Sequence, residues 1–517
     1  MSDPLLVQFQ ALLDAYQSAG DPGERVRLLL DQQLEPEEAE HLRRCAIPHQ
    51  FSLRVFRLLA PELDADRAAL RFGEFARLSV MQPAGESLAL HDGVRTQLFR
   101  QWLAPERRPE FAALSRRLAG HYAEARKEAG GEAERVCARR WMFHLIGASE
   151  PEGIQALREM CRAARIAMQT GEFEALVRLA FEYSGALSPS GDAALDYQAA
   201  KLLYDKGELE AAETAFRELL DNPASPVPVR VKSLGRLGLI LTQLRRWKEA
   251  VARLEEAIHL SHESGFEDDL PGLLHDLGAA WRDSGNLVRG ARFLKESLKV
   301  AEARGRTKAM ARGYNSLGTL YRKSSRPQEA IRAYEKSLEC LDQLGDRFGK
   351  PAVYNNLGAV RADLAEWDKS ESYYRQSLEI KEQAGDTLGR ACTLGNLARV
   401  YRSQQRVDLA VQTAETAVQL FGELRDDYRA AGMHLQLARI YRSQKRIDDA
   451  KREYSSAIAQ WELVQATEEA KEARIELKDY QRRRGLPWWF WVVASALLLF
   501  VALMMAVVVL LAMIFKK

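Results

Sequence analysis

Arginine and asparagine side chains recur at fixed intervals in the second half of the chain. Eight of them form three columns with a 40-residue period: Asn315 and Asn355, Arg399 and Arg439, and Arg282, Arg322, Arg402 and Arg442. A guanidinium group donates paired hydrogen bonds to a carboxylate, and an asparagine amide both donates to and accepts from a peptide backbone. The columns therefore predict a surface that binds an acidic peptide. A solvated helix face would carry the same residues, so both interpretations remain open.

An apolar pattern with the same period indicates the elements that would position these side chains. Leu-Gly or Leu-Ala pairs begin at six places: Leu237, Leu277, Leu317, Leu357, Leu397 and Leu437. Small residues follow each leucine 13 and 20 positions later, and a large residue usually follows after four. Small residues let two antiparallel helices approach closely, while aromatic residues fill the adjacent gaps. Each unit is thus predicted to be a helical hairpin, and stacked hairpins bury the apolar faces that one hairpin leaves exposed.

Residues 317–339, LGTLYRKSSRPQEAIRAYEKSLE, resemble the tetratricopeptide repeat (TPR) family. The period of 40 exceeds the family's usual 34, as in the long-repeat subgroup that includes kinesin light chains and Pins-type polarity adaptors. Residues 197–219 resemble one more unit, and residues 168–180 a degenerate one. The resemblance implies an all-α fold, with an α-solenoid over residues 151–460 whose first helices line a concave groove for a peptide. Asn356 and Asn396, next to the signature leucines, would cap turns or bridge neighbouring repeats.

Residues 1–150 lack the 40-residue period and form a separate helical domain, without a secretory signal at its start. Residues 51–103 read as helix, helix, a two-stranded wing around Gly85 and a further helix. This order resembles the winged-helix module of STAND-type signalling ATPases, whose His-Asp-x-x-Arg turn is matched by His91, Asp92 and Arg95. The phosphate loop of those ATPases is absent, because GDRFGKP at residues 345–351 has the wrong spacing. We expect no nucleotide or other cofactor, and structural roles for His91 and Asp92.

An uncharged segment, residues 486–515, is longer than the roughly 20 residues that span a bilayer. Residues typical of membrane interfaces stand at its two ends: Trp488, Trp489, Trp491, Lys516 and Lys517. We predict a single-pass C-terminal transmembrane helix in the lipid bilayer, with the N-terminal domain in the cytoplasm because three arginines, 482–484, precede the span. A composition rich in alanine and arginine is compatible with a bacterial cytoplasmic membrane, which we expect, and a eukaryotic organelle is the alternative. Ala502 and Ala506 would let two such helices pair as a homodimer, although alanine is common in any apolar segment.

Residues 461–485 connect the solenoid to this span and read as one continuous charged helix. Leu463, Ala470 and Leu477 have a seven-residue spacing within it. We expect this helix to cap the solenoid and to hold the repeats close to the membrane.

Composition and motifs exclude several classes of function. The 74 Lys and Arg nearly balance the 72 Asp and Glu, which gives no overall field for nucleic acid. Five cysteines are scattered singly, and the HxxH pair His259 and His262 has no partnering glutamate, so no metal site or enzyme is predicted. We expect a membrane-anchored scaffold that binds a protein or peptide partner. The alternatives are a membrane-bound signalling or transcriptional regulator that binds DNA through residues 51–103, which the charge balance disfavours, and an assembly or targeting factor for membrane proteins.

Overall fold

The computed structural model describes residues 34–78, 80–167, 169–485, 493, 495–497 and 499. The chain divides into two compact units, Met1–Ala280 and Trp281–Lys517. None of the helices in the described part is long and apolar enough to cross a membrane. The predicted span, residues 486–515, lies almost wholly outside that part, together with its flanking tryptophans and lysines and the predicted dimerisation pair. The transmembrane helix therefore remains a prediction.

The first unit contains, near its start, the predicted order of helix, helix, hairpin and helix. A short helix precedes this order, and the elements are α1 (Pro36–Arg44), α2 (Leu53–Leu59), α3 (Ala65–Phe75), β1 (Met81–Ala84), β2 (Ser87–Leu90) and α4 (Asp92–Trp102). The strands pair antiparallel, with Met81 opposite Leu90 and a left-handed Gly85 in the turn. The side chains of Ser52 and Asp64 cap α2 and α3. The assignment of this module as a winged helix stays a prediction.

Helical pairs make up the rest of the first unit. They are α5 (Arg108–Glu128), α6 (Gly131–Ala148), α7 (Glu150–Ile166), α8 (Thr170–Ala180), α9 (Pro189–Lys206), α10 (Leu209–Asp221), α11 (Val227–Gln243), α12 (Trp247–Ser264) and α13 (Leu270–Asp283). Consecutive helices from α5 to α12 pack on one another. The boundary with the second unit falls within α13.

Arg95 of the His-Asp-x-x-Arg turn joins the hairpin module to these pairs. Its side chain is 7% exposed and donates to the Glu182 carboxylate at 2.8 Å and to the Pro48 carbonyl at 3.3 Å. His49 Nε2 lies 2.6 Å from the same carboxylate. Within the motif, His91 is the N-cap residue of α4 and makes no capping bond through its side chain. The arginine of the motif thus forms a buried structural ion pair.

The second unit is a regular array of helix pairs. Its helices are α14 (Leu287–Ala303), α15 (Thr307–Lys323), α16 (Pro327–Gln343), α17 (Lys350–Asp363), α18 (Trp367–Gln383), α19 (Thr387–Ser403), α20 (Val407–Glu423), α21 (Asp427–Ser443), α22 (Ile447–Leu463) and α23 (Thr467–Gly485). From α14 onward each helix packs on the next. The small-residue columns hold the pairs together, because the hydroxyls of Ser337 and Ser377 donate to the carbonyls of Ala311 and Pro351 at 2.7 and 2.9 Å.

The turns repeat with the helices. Within pairs, residues other than glycine adopt positive φ angles of 55 to 60°: Ser325, Ala365, Gln405 and Lys445. Between the pairs from α16 onward the left-handed residue is Gly345, Gly385, Arg425 or Gln465. The next helical segment after each of the first three of these turns begins with an aspartate cap, and Asp386, for example, accepts from the Gly389 N–H at 2.8 Å.

The prediction of one continuous helix over residues 461–485 is wrong. α22 ends at Leu463, and α23 begins at Thr467 after a turn in which Gln465 has a φ of 59°. This turn lies one full repeat after the turn at Arg425, so the repeat register continues beyond residue 460. Ala470 is buried beside Trp461, whereas Leu463 is 73% exposed. α23 therefore packs as the first helix of a further pair.

Candidate functional site

Asparagine side chains connect the first helices of successive pairs in the second unit. Asn356 Nδ2 donates to Asn315 Oδ1 at 2.9 Å, and Asn396 Nδ2 donates to Asn355 Oδ1 at 3.2 Å. Asn356 and Asn396 therefore bridge neighbouring repeats, which was one of the two roles predicted for them. Within the described part of the chain, the Nδ2 groups of Asn315 and Asn355 donate to no acceptor. These amides can donate to a bound peptide backbone.

We call the surface around these bonds the first-helix face. It comprises residues of α15, α17, α19 and α21: Asn315, Arg322, Asn355, Asn356, Asn396, Arg399, Arg402, Arg439 and Arg442. Of the eight residues predicted to bind a peptide, all except Arg282 belong to it.

Carboxylates of the same chain neutralise two of the predicted arginines. Arg322 Nε donates to Asp363 Oδ2 of the next repeat at 2.5 Å. Arg282 donates to both oxygens of Asp283, at 2.9 and 2.8 Å, and Lys323 reaches the same carboxylate at 2.9 Å. Burial raises the pKa of Asp283, but these donors outweigh burial and hold the pKa below its ordinary value. Arg282 and Arg322 are therefore ion-paired in the absence of a ligand.

Glu476 of α23 pairs with two more of the predicted arginines. Arg439 Nε donates to Glu476 Oε2 at 3.2 Å, and Arg442 Nη1 lies 3.8 Å from the same oxygen. The Tyr454 hydroxyl also donates to this oxygen at 3.1 Å. α23 thus supplies the counterion at this end of the first-helix face.

Arg399 and Arg402 differ from the other four arginines. Neither side chain forms an ion pair or a hydrogen bond with any residue that the structure describes. Both line a cavity of about 230 Å³, together with Arg322, Asn355 and Tyr374 among others. Burial and the positive charges of Arg439, Arg399 and Arg442 lower the pKa of Arg402. The structure therefore concentrates positive charge here without compensating it.

Sequence reasoning missed the carboxylates that occupy the other arginines, although a signal for them exists. The sixth residue after the signature leucine reads Asp283, Lys323, Asp363, Ser403 and Ser443 in successive repeats. Arg322 meets Asp363 in the following repeat, whereas the equivalent position for Arg402 is Ser443. This column contains the carboxylates that pair with Arg282 and Arg322, but not Glu476, which pairs with Arg439 and Arg442.

The histidine pair has ordinary surroundings. His259 Nδ1 lies 3.1 Å from Glu263, and His262 Nδ1 lies 3.1 Å from Glu267. Across the described ranges, no group of three or more His, Cys, Asp or Glu side chains could hold a metal ion.

Comparison with known proteins identifies the repeats. A tetratricopeptide repeat model matches residues 269–343 and 350–423, and a second such model matches residues 197–263 and 396–462. These segments are tetratricopeptide repeats, which confirms the prediction from the sequence. No curated protein has significant sequence similarity to the chain.

A solved structure shares the fold at low sequence identity, and two others are less similar to the chain. The STAND protein with a tetratricopeptide repeat sensor from Pyrococcus horikoshii superposes with a TM-score of 0.56 at 16% identity over 93% of this chain. The chain spans 66% of the length of that protein. A Rap protein complexed with Competence and Sporulation Factor gives a TM-score of 0.46 at 12% identity, over 64% of this chain and 96% of its own. The quorum sensor NprR from B. thuringiensis gives 0.42 at 13% identity, over 63% and 97%.

Proposed function

We propose that the protein is a membrane-anchored scaffold whose first-helix face binds an extended acidic segment of a protein partner. The observation that supports this function most directly is the pair of arginines, Arg399 and Arg402, without a counterion in the described chain. Arg402 is partly buried, and a guanidinium group that loses water without gaining an anion is unfavourable, so a ligand carboxylate would relieve that cost.

The asparagines beside the arginines would fix the direction of the peptide. Asn315 and Asn355 each have an unused Nδ2 donor, and each holds its amide in place through the bond to Asn356 or Asn396. A backbone carbonyl of the ligand would accept from each of these donors, and an acidic side chain would reach Arg399 and Arg402. This arrangement needs no catalytic group.

Residues 486–515 are proposed to anchor this scaffold in a membrane. The length of the segment without charge and its flanking tryptophan and lysine residues support this assignment. The three arginines before it favour a cytoplasmic first-helix face, in a bacterial cytoplasmic membrane. Partner capture would then occur next to the bilayer.

A charge-reversal experiment tests the binding surface. The probe is a fluorescein-labelled library of nine-residue peptides rich in glutamate, titrated with the full chain in a neutral detergent and followed by fluorescence anisotropy. Arg402→Glu should weaken binding at least tenfold, because it removes a donor and adds a like charge beside the ligand. Arg332→Glu provides the control, since Arg332 is exposed on the second helix α16 and carries the same charge change. Equal affinities of the two variants would contradict the assignment of the site.

A further inference from the structure

A buried tyrosine also lines the cavity at Arg399 and Arg402. Tyr374 of α18 is 2% exposed, and its ring packs against Gly358 of α17, where a Cβ atom would lie 2.9 Å from ring carbon Cε1. The glycine of the repeat signature therefore brings this tyrosine to the first-helix face.

The hydroxyl of Tyr374 lacks the partner that its equivalents in other repeats have. Tyr334, at the same position of the preceding repeat, donates to Thr319 Oγ1 at 3.2 Å, and Tyr454, two repeats further along, donates to Glu476 at 3.1 Å. In the part of the chain that the structure describes, the Tyr374 hydroxyl forms no hydrogen bond. Burial raises its pKa to about 12, although Arg399 and Arg322 act in the opposite direction. The group stays protonated at neutral pH and is free to donate.

Positive charge exceeds negative charge by three over the cavity that Tyr374 lines and the depression next to it. The cavity and the depression next to it are lined by five arginines and by two carboxylates, Asp363 and Glu476. One ligand carboxylate would leave an excess of two positive charges on these surfaces. An anion with a larger charge would compensate the site more fully.

We propose that Tyr374, Arg399 and Arg402 form a subsite for a phosphoryl group on a side chain of the bound peptide. This inference rests on the proposed peptide binding and specifies the class of ligand. A phosphorylated serine carries about 1.5 to 2 negative charges at pH 7 and three strong acceptor oxygens. Two guanidinium groups and one hydroxyl provide donors for those oxygens. The joined amides of Asn355 and Asn396 lie beside the subsite, where the backbone of the same peptide would bind.

Three degenerate peptide libraries test the subsite with the full chain in a neutral detergent. They share their flanking composition and differ only in the central residue, which is phosphoserine, glutamate or serine. We expect the phosphoserine library to bind at least tenfold more tightly than the glutamate library in fluorescence anisotropy. Equal binding of these two, above serine, would overturn the phosphoryl subsite and leave the proposed function standing. Absence of binding by all three would overturn both.

Matched variants locate the effect. Tyr374→Phe removes a hydroxyl that bonds to nothing in the described chain, so it should leave the fold intact and lower the preference for phosphoserine over glutamate about fivefold or more. Tyr334→Phe is its control, because that hydroxyl bonds to Thr319 instead. Arg399→Gln should likewise lower the preference, and Arg332→Gln should not. A preference that survives both Tyr374→Phe and Arg399→Gln would place the phosphoryl group elsewhere and overturn the subsite.

The charge state and the source of the phosphate are tested separately. The second pKa of a phosphate monoester is about 6, so phosphoserine binding should weaken between pH 7.5 and 5.5, while glutamate, with a pKa of about 4.3, keeps its charge. A pH dependence shared equally by both libraries would contradict recognition of a dianion. Dihexanoyl phosphatidic acid, a soluble lipid with the same headgroup chemistry, serves as competitor. If this lipid binds and the phosphoserine library does not, the site is a lipid site and the proposal fails.

Discussion

Replacing Gly318 by alanine tests the close packing on which the repeat depends. A Cβ atom at this position of α15 would lie 2.5, 2.6 and 2.8 Å from Cε1, Cδ1 and Cζ of Tyr334. Carbon atoms in contact are separated by about 3.5 to 4.0 Å, so α15 and α16 would have to move apart by roughly 1 Å. The ring cannot leave easily, because Tyr334 is fully buried and its hydroxyl is bonded to Thr319.

The expected magnitude is a difference between two effects. Overpacking of a buried contact costs about 1 to 3 kcal/mol, and alanine regains up to about 1 kcal/mol because it favours a helix more than glycine does. The contact involves three ring atoms within 3 Å, so we place the cost in the upper part of that range. The net expectation is a local loss of about 1 to 2 kcal/mol in the stability of the α15–α16 pair.

Native-state hydrogen exchange of the full chain measures this loss where it occurs. Each repeat contacts mainly its neighbours, so opening is expected to be local. A change of about 1.4 kcal/mol in opening free energy corresponds to a tenfold change in exchange rate, so amides of α15 and α16 should exchange about 5 to 30 times faster. Gly432→Ala is the control, because its Cβ would have nothing within 4 Å in α21. That substitution should slow exchange in α21 by up to about fivefold, and a slowing of exchange by both substitutions would refute the packing argument.

Three further predictions concern charge and anchoring. Asp363→Asn should release Arg322 and strengthen binding of the glutamate-rich library about two- to fivefold in fluorescence anisotropy. The reason is that removing a unit negative charge about 7 Å from the ligand changes the binding free energy by roughly 0.6 kcal/mol in water. Weaker binding would contradict this prediction. Burial lowers the pKa of His144 well below 6.5, so below pH 6.5 the unfolded segment takes up a proton that the folded one does not. The stability of α6 should therefore decrease by up to about 1.4 kcal/mol for each pH unit below 6.5, and His144→Gln should reduce this pH dependence. Hydrogen exchange, corrected for the intrinsic effect of pH on the exchange rate, measures it. A chain that ends at Gly485 should move from the membrane pellet to the supernatant on ultracentrifugation, whereas continued sedimentation would count against the anchor.

The repeats could be predicted from the sequence because the residues that make each helix pair pack closely recur at fixed positions of every repeat. The small residue at Gly318 and the aromatic residue at Tyr334 complement each other within one hairpin, and the same complement recurs in the next hairpin at Gly358 and Tyr374. Periodicity therefore indicated both the hairpins and their register.

The end of the array was not predictable by the same means. Gly345 and Gly385 mark their turns by residue type, but Gln465 adopts the same left-handed conformation without any such mark. The charged composition of residues 461–485 favours a helix throughout, and only the packing of Ala470 against α22 requires the turn.

The sequence did not reveal which arginines of the candidate site are ion-paired, because most of these pairs form between repeats. The six predicted arginines recur at similar spacing, and the sequence does not distinguish them. Carboxylates of another repeat pair with three of them, Asp363 with Arg322 and Glu476 with Arg439 and Arg442, and Asp283 pairs with Arg282. The sequence analysis did not single out Tyr374, and its unused hydroxyl became apparent only beside the bonded hydroxyls of Tyr334 and Tyr454.

The ion pair between Arg322 and Asp363 spans 41 residues, and this has a consequence for how such arrays diverge by recombination. Loss of residues 344–383 would remove one complete hairpin with its turn and join two segments in the same register. Arg322 would then meet Ser403 in place of Asp363, and Tyr374 would be lost with the hairpin. A single genetic event that hardly disturbs folding would thus exchange one set of ligand-binding groups for another.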